Sequence, residues 1–128
     1  MVRARNRLLQ MSDARQLVVC LCAEWCGVCR DYRSRFEQVG SQFPQAGFVW
    51  VDVEDQADLV DPIDVENFPM LLIAVGSDVL FFGALTPQIE TLERLVRDRF
   101  SRMDGSGSTA GSTPEAVALL ARLRAARL

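Results

Sequence analysis

Leu17-Val18-Val19-Cys20-Leu21-Cys22-Ala23-Glu24-Trp25-Cys26-Gly27-Val28-Cys29 is the stretch on which the fold turns. It opens with six consecutive apolar residues, Leu17 to Cys22, consistent with a central strand buried on both faces. Period two puts Cys20 and Cys22 on one face of that strand and Leu21 on the other. From Gly27 to about Gly40 the pattern becomes helical, with Val28, Tyr32, Phe36, Val39 and Phe43 forming one apolar stripe. Arg30, Arg33, Ser34 and Glu37 lie off the stripe, and Gly40 and Pro44 close the segment. The pair Cys26-Gly27-Val28-Cys29 therefore falls at a strand-to-helix junction. Two cysteines so spaced can close a small disulfide ring or supply one edge of a metal site. Unpaired N–H groups and the positive dipole end at a helix start stabilise a thiolate, which favours redox chemistry here.

Working outward, Phe48–Val53 is a second buried strand, and a helix between two buried strands makes the pair parallel with a right-handed crossover. Glu54–Glu66 is acidic and contains Pro62; a helical turn or two is expected around Asp58–Asp61, and loop elsewhere. Phe68-Pro69 opens a third apolar run, Met70–Val75. Gly76-Ser77 is a tight turn into a fourth, Val79–Phe82, so these two strands form an antiparallel hairpin, with Gly83 just after it. Thr86-Pro87 reads as an N-cap followed by proline at the first helical position. Ile89, Leu92, Val96 and Phe100 then mark a last core helix. Asp104–Thr113, rich in Gly and Ser, is a linker by composition. Thr113-Pro114 repeats the capping signal before an Ala/Leu/Arg helix over 114–128, which docks back on the domain, binds a protein partner or stays marginal.

Composition excludes several chemistries. The 128 residues contain no histidine, which removes Cys-His and Ser-His catalysis and histidine-containing metal sites. All 14 basic residues are arginine, so Schiff-base and P-loop lysine chemistry are absent too. A net charge of −3 does not suggest nucleic-acid binding. No run approaches the roughly 18 apolar residues of a membrane span. After the basic start Met1–Arg7, Ser12, Asp13 and Arg15 interrupt the approach to an apolar run too short for a secretory signal, which points to the cytoplasm. Between Phe48 and Glu93 lie ten acidic residues and no basic one, read as a solvated face or a dock for a basic partner.

Several of these features together resemble the thioredoxin family. Ala23-Glu24-Trp25-Cys26-Gly27-Val28-Cys29-Arg30 looks like that family's Trp-Cys-Gly-Pro-Cys-Lys active site. Phe68-Pro69 stands where the family has its cis-proline, and Gly83-Ala84-Leu85 is similar to its Gly-Ala before the last helix. The resemblance covers about residues 17–101. It implies an α/β, thioredoxin-like fold: a central mixed β-sheet of about four strands flanked by helices. The domain would span 17–103, with a reduced N-terminal region (1–16, an arm or short helix), the linker 104–113 and the tail helix 114–128. It further implies a thiol–disulfide oxidoreductase that needs no cofactor beyond a redox-active Cys26–Cys29 disulfide. Cys26 would be the nucleophile and Cys29, more buried, the resolving thiol. Trp25, Gly27, Val28, Phe68, Pro69 and Gly83 would contact substrates, which would be disulfide-containing proteins. A thioredoxin-reductase-like partner would supply electrons.

The departures from the family pattern matter. Val28 replaces the motif's proline, and Ser34 a proline that often kinks the helix, implying a straighter one. Cys20 stands where the family carries a buried aspartate, and Trp50 where it carries the partner lysine. Losing both members of a charge pair leaves no unpaired buried charge. The implied consequence is that Cys20 and Trp50 modulate the site, with Cys29 deprotonating less readily near neutral pH. Cys20 and Cys22 are expected as small buried hydrophobes, with Cys20 as a third redox thiol the sharper alternative. Two rival readings stand beside the oxidoreductase. One is a chaperone or partner-binding module on the same fold. The other is a metal protein using Cys20, Cys22, Cys26 and Cys29 as four thiolates.

Overall fold

The computed structural model describes residues 14–23, 27–57, 69–86, 88–101 and 113–126. The elements run β1 (Gln16–Cys22), α1 (Gly27–Gly40), β2 (Ala46–Asp52), β3 (Met70–Val75), β4 (Asp78–Ala84), α2 (Ile89–Ser101) and α3 (Pro114–Ala126). The four strands form one mixed sheet in the order β2-β1-β3-β4. β1 pairs with β2 in parallel, and β3 pairs antiparallel with both β1 and β4. The expected parallel crossover and hairpin are thus both present. Gly76 has a φ of 60°, the left-handed value that a primed two-residue hairpin turn requires at its first position.

β1 is apolar from Leu17 to Cys22 because both of its faces are covered there. One face carries Val18, Cys20 and Cys22, which join Leu71, Ile73 and Val75 of β3. Against it pack Cys29, Tyr32, Phe36 and Val39 of α1 and Leu92, Val96 and Phe100 of α2. The other face carries Leu17, Val19 and Leu21, with Val49, Val51, Leu72, Ala74 and Val79. Here Ala116, Leu119, Leu120 and Leu123 of α3 form the cover. A register shift between Ile73 and Ala74 lets β4 place consecutive residues Leu80 and Phe81 toward the α1/α2 side, while Val79 and Phe82 serve the α3 side.

The docking of α3 settles one open expectation. Of the outcomes expected for the C-terminal helix, docking back on the domain is the one present, through Ala116, Leu119, Leu120 and Leu123. Among the described residues, Val117 is the large hydrophobic side chain that remains exposed. The Arg124 guanidinium adds polar ties, donating to the carbonyls of Gly76 (3.0 Å), Ala14 (2.8 Å) and Arg15 (3.2 Å).

The two Thr-Pro signals behave differently. Thr113 caps α3 as expected: its Oγ1 accepts from the Ala116 amide at 3.1 Å, and its carbonyl accepts from the Val117 amide. Thr86 does not cap α2. The first helical carbonyl acceptor is Gln88, bonded by the Leu92 amide at 3.3 Å, so α2 starts later. That phase buries Leu92, Val96 and Phe100 on one face. Gly83 also differs from expectation, lying inside β4 rather than after it. The helical turn expected near Asp58–Asp61, most of the linker and residues 1–13 of the N-terminal arm lie outside the described residues. No helix among the described residues is long and apolar enough to cross a membrane.

Candidate active site

Cys22 is the last residue of β1, and α1 begins five residues later at Gly27. The β1–β3 register pairs Leu21 with Met70, and carried one residue further it sets Pro69 opposite Cys22. Pro69 is buried, and its carbonyl accepts from the Leu85 amide at 3.0 Å. Leu71 and Met70 pair with Gly83 and Ala84. The structure therefore brings Pro69, Gly83 and the start of α1 to one end of the sheet. Gly27 is exposed at the first position of α1. The first turn of α1 carries no acidic residue, so nothing there offsets the positive dipole end. Glu24, Trp25, Cys26 and Phe68, and the side chain of Val28, lie outside the described residues.

Cys29 is fully buried on the inner face of α1, beginning the stripe Cys29, Tyr32, Phe36 and Val39. Its sulfur is in a disulfide, and the partner is Cys22. The Cα–Cα distance of 5.8 Å sits in the usual range for such a bond. The Cys26–Cys29 disulfide that the resemblance implies involves Cys26, which lies outside the described residues, while Cys22, expected as a small buried hydrophobe, is here bonded to Cys29. The physical reason is parity. Cys22 is the last inward-facing residue of β1, and Cys29 is the first buried residue of α1, so both enter the same layer from opposite sides. That parity was legible in the sequence, but the strand-to-helix turn that sets the distance was not. The amide of Ala23 donates to the Cys29 Sγ at 3.3 Å, a contact that sequence reasoning also missed.

Cys20 is a free, fully buried thiol on the same face. Burial pushes its pKa far above the ordinary thiol value, so it stays protonated. Tyr32 is raised too, by its own burial first and by the nearby Cys20 second, and its hydroxyl has no hydrogen-bond partner among the described residues. Cys20 and Trp50 are Cα partners across the parallel β1–β2 pair. Trp50 is half-buried, edge-on to Phe36 at 5.8 Å, with the Arg33 guanidinium 5.5 Å from its ring centre. The two residues expected to replace a charge pair are thus neighbours, in an apolar and aromatic setting.

Of the four thiolates in the metal reading, Cys26 lies outside the described residues. Cys22 and Cys29 spend their sulfurs on each other, and Cys20 is held as a neutral thiol. Among the described residues no group of three or more His, Cys, Asp or Glu side chains is placed to hold a metal ion.

Comparison with known proteins bears on the same residues. The family model described as Thioredoxin matches residues 5–95. A thioredoxin H-type from Picea mariana is 35% identical over 69 residues, which are 53% of this chain and 55% of that protein. A thioredoxin from Ophiophagus hannah is 30% identical over 84 residues, 64% of this chain and 80% of that protein. Thioredoxin from Trypanosoma brucei brucei matches in three dimensions with a TM-score of 0.61 at 25% identity, over 71% of this chain and 80% of that chain. With the Picea mariana relative, the chain spans little more than half the relative's length.

Proposed function

This chain belongs to the thioredoxin family, and from that premise we propose that it reduces protein disulfides through a Cys26–Cys29 dithiol/disulfide cycle. The observation that carries the reading is the position of Cys29: buried in the first turn of α1, its sulfur in a disulfide with Cys22 and held by the Ala23 amide.

The chemistry follows from position along α1. Cys26 precedes the first helical residue in sequence, where unpaired N–H groups favour its thiolate. That thiolate attacks a substrate disulfide, forming a mixed disulfide and releasing one substrate thiolate. Cys29 then attacks the Cys26 sulfur. The second substrate thiolate leaves, and the two electrons that reduced the substrate have come from Cys26 and Cys29. The dithiol is restored by an external thiol reductant, for which a thioredoxin-reductase-like protein is the fitting class. Trp25, Gly27, Val28, Phe68, Pro69 and Gly83 are the proposed substrate contacts, and the bonding of Pro69 to Leu85 and the pairing of Gly83 with Leu71, at the sheet end where β1 finishes, support this. An extended substrate segment would add main-chain hydrogen bonds there, in the manner of strand addition.

The test is Cys29→Ser in the full chain. It should accumulate mixed disulfides through Cys26 when exposed to protein disulfides, while the wild type reduces insulin. If nothing is trapped and insulin is not reduced, the proposed activity is wrong.

A further inference from the structure

Cys29 has two chemically competent partners, and the disulfide in the structure is not the one the proposed cycle ends on. We propose that Cys22 is a third exchanging thiol of this site, taking the Cys29 sulfur from Cys26 and so freeing Cys26 for another attack. The inference rests on the Cys26–Cys29 cycle proposed above and extends it by one step.

The step balances without any added oxidant. The Cys22 sulfur, as thiolate, attacks Cys29 Sγ in the Cys26–Cys29 disulfide. The Cys22–Cys29 bond forms, the Cys26–Cys29 bond breaks, and the electron pair leaves on Cys26. The proton lost by Cys22 is taken up by Cys26 or by solvent. One disulfide becomes another, with no net oxidation. Across the whole sequence the two electrons delivered to substrate come from Cys22 and Cys29, and Cys26 ends as it began.

Three observations carry the step. Cys22 and Cys29 meet in the core with Cα atoms 5.8 Å apart, within bonding reach with no movement of β1 or α1. The Ala23 amide fixes the shared sulfur, Cys29 Sγ, at 3.3 Å. The leaving thiolate would be on Cys26, which precedes the first residue of α1, where a thiolate is favoured, whereas Cys22 is fully buried and gains by giving up charge. Cys20 shares the face but is left as the free thiol, so the arrangement selects Cys22.

The two disulfides are distinguishable by position. Either one leaves two of the four cysteines to be alkylated, so intact mass does not separate them. Glu24 lies between the pairs, so cleavage at Arg15, Glu24 and Arg30 gives one peptide with Cys20 and Cys22 and another with Cys26 and Cys29. The wild-type chain is oxidised with a protein disulfide, quenched in acid, alkylated and cleaved. The expected result is the two peptides joined through Cys22–Cys29, with alkyl groups on Cys20 and Cys26. In Cys22→Ala the oxidised chain should lose the alkyl group on Cys26, because the disulfide then closes within its own peptide. In Cys26→Ser the Cys22–Cys29 bond should form many times more slowly, since buried Cys29 loses its route to the oxidant. An internal Cys26–Cys29 disulfide in the wild type, a bond through Cys20, or unchanged formation in Cys26→Ser would each overturn the transfer while leaving the Cys26–Cys29 cycle standing. No disulfide at all, together with failure of Cys29→Ser trapping, would instead defeat the underlying activity.

Discussion

Arg124, near the end of α3, donates its Nε hydrogen to the carbonyl of Gly76 at 3.0 Å, tying the last helix to the left-handed turn of the β3–β4 hairpin. Its other nitrogens reach Ala14 and Arg15, and the Gly76 amide donates to the same Arg15 carbonyl at 2.9 Å. One planar fork thereby joins the helix, the turn and the start of β1. Arg124→Ala should lower stability by about 1.5–3 kcal/mol, the scale of hydrogen bonds to a charged group. Arg124→Lys should recover little, because a point charge cannot serve three carbonyls in one plane. Urea unfolding at constant m-value reads both.

The two Thr-Pro pairs offer a matched comparison. Thr113→Ala removes a side-chain cap and should cost about 1 kcal/mol. Thr86→Ala removes an exposed hydroxyl that caps nothing and contacts Thr91 at 3.4 Å; it should stay within about 0.5 kcal/mol of wild type. Equal losses in thermal unfolding would contradict the assignment of the α2 start to Gln88.

Gly40 ends α1 against the ring of Phe48. A Cβ there would come within 3.0 Å of Phe48 Cγ. The ring cannot easily yield, because Phe36 and Phe43 hold it at centroid distances of 5.2 and 6.2 Å. Gly40→Ala would gain up to about 1 kcal/mol of helix propensity but should lose about 1–3 kcal/mol to overpacking, for a net destabilisation. A rise in melting temperature would show that the α1–β2 contact is looser than this packing implies.

Alkaline pH should expose the buried thiol. Cys20 binds its proton more tightly in the folded chain than its ordinary value of 9.0, because burial penalises the thiolate. The resulting stability is complete below about pH 9 and is lost as pH rises, since the unfolded chain then ionises while the folded one does not. Tyr32 acts in the same direction at higher pH. The oxidised protein should therefore melt progressively lower between pH 9 and 11, and Cys20→Ala should flatten that slope whatever its effect at pH 7. An unchanged slope would mean that Cys20 does not supply the proton.

Much of this molecule is local in origin and so was legible in the residues. Leu17–Cys22 is apolar at every position because both sheet faces are covered, and alternation alone divides Cys20 and Cys22 from Leu21. The helical stripe of Tyr32, Phe36 and Val39, the Gly76-Ser77 turn and the Thr113 cap are likewise written within a few residues of where they act. So is a cysteine pair at a helix start, the feature that points to thiol chemistry. What covers the second face of the sheet could not be read that way. α3 has the apolar side chains to bind many surfaces, and only its packing on Leu17, Val19 and Leu21 shows which one it uses. Nor could the partner of Cys29 be read from spacing, which favours Cys26. A disulfide depends on the separation of two Cα atoms, and across the β1–α1 junction that separation is set by how helix and sheet pack together. The sequence determined that Cys29 belongs to a thiol site; tertiary structure decided that Cys22 is within its reach.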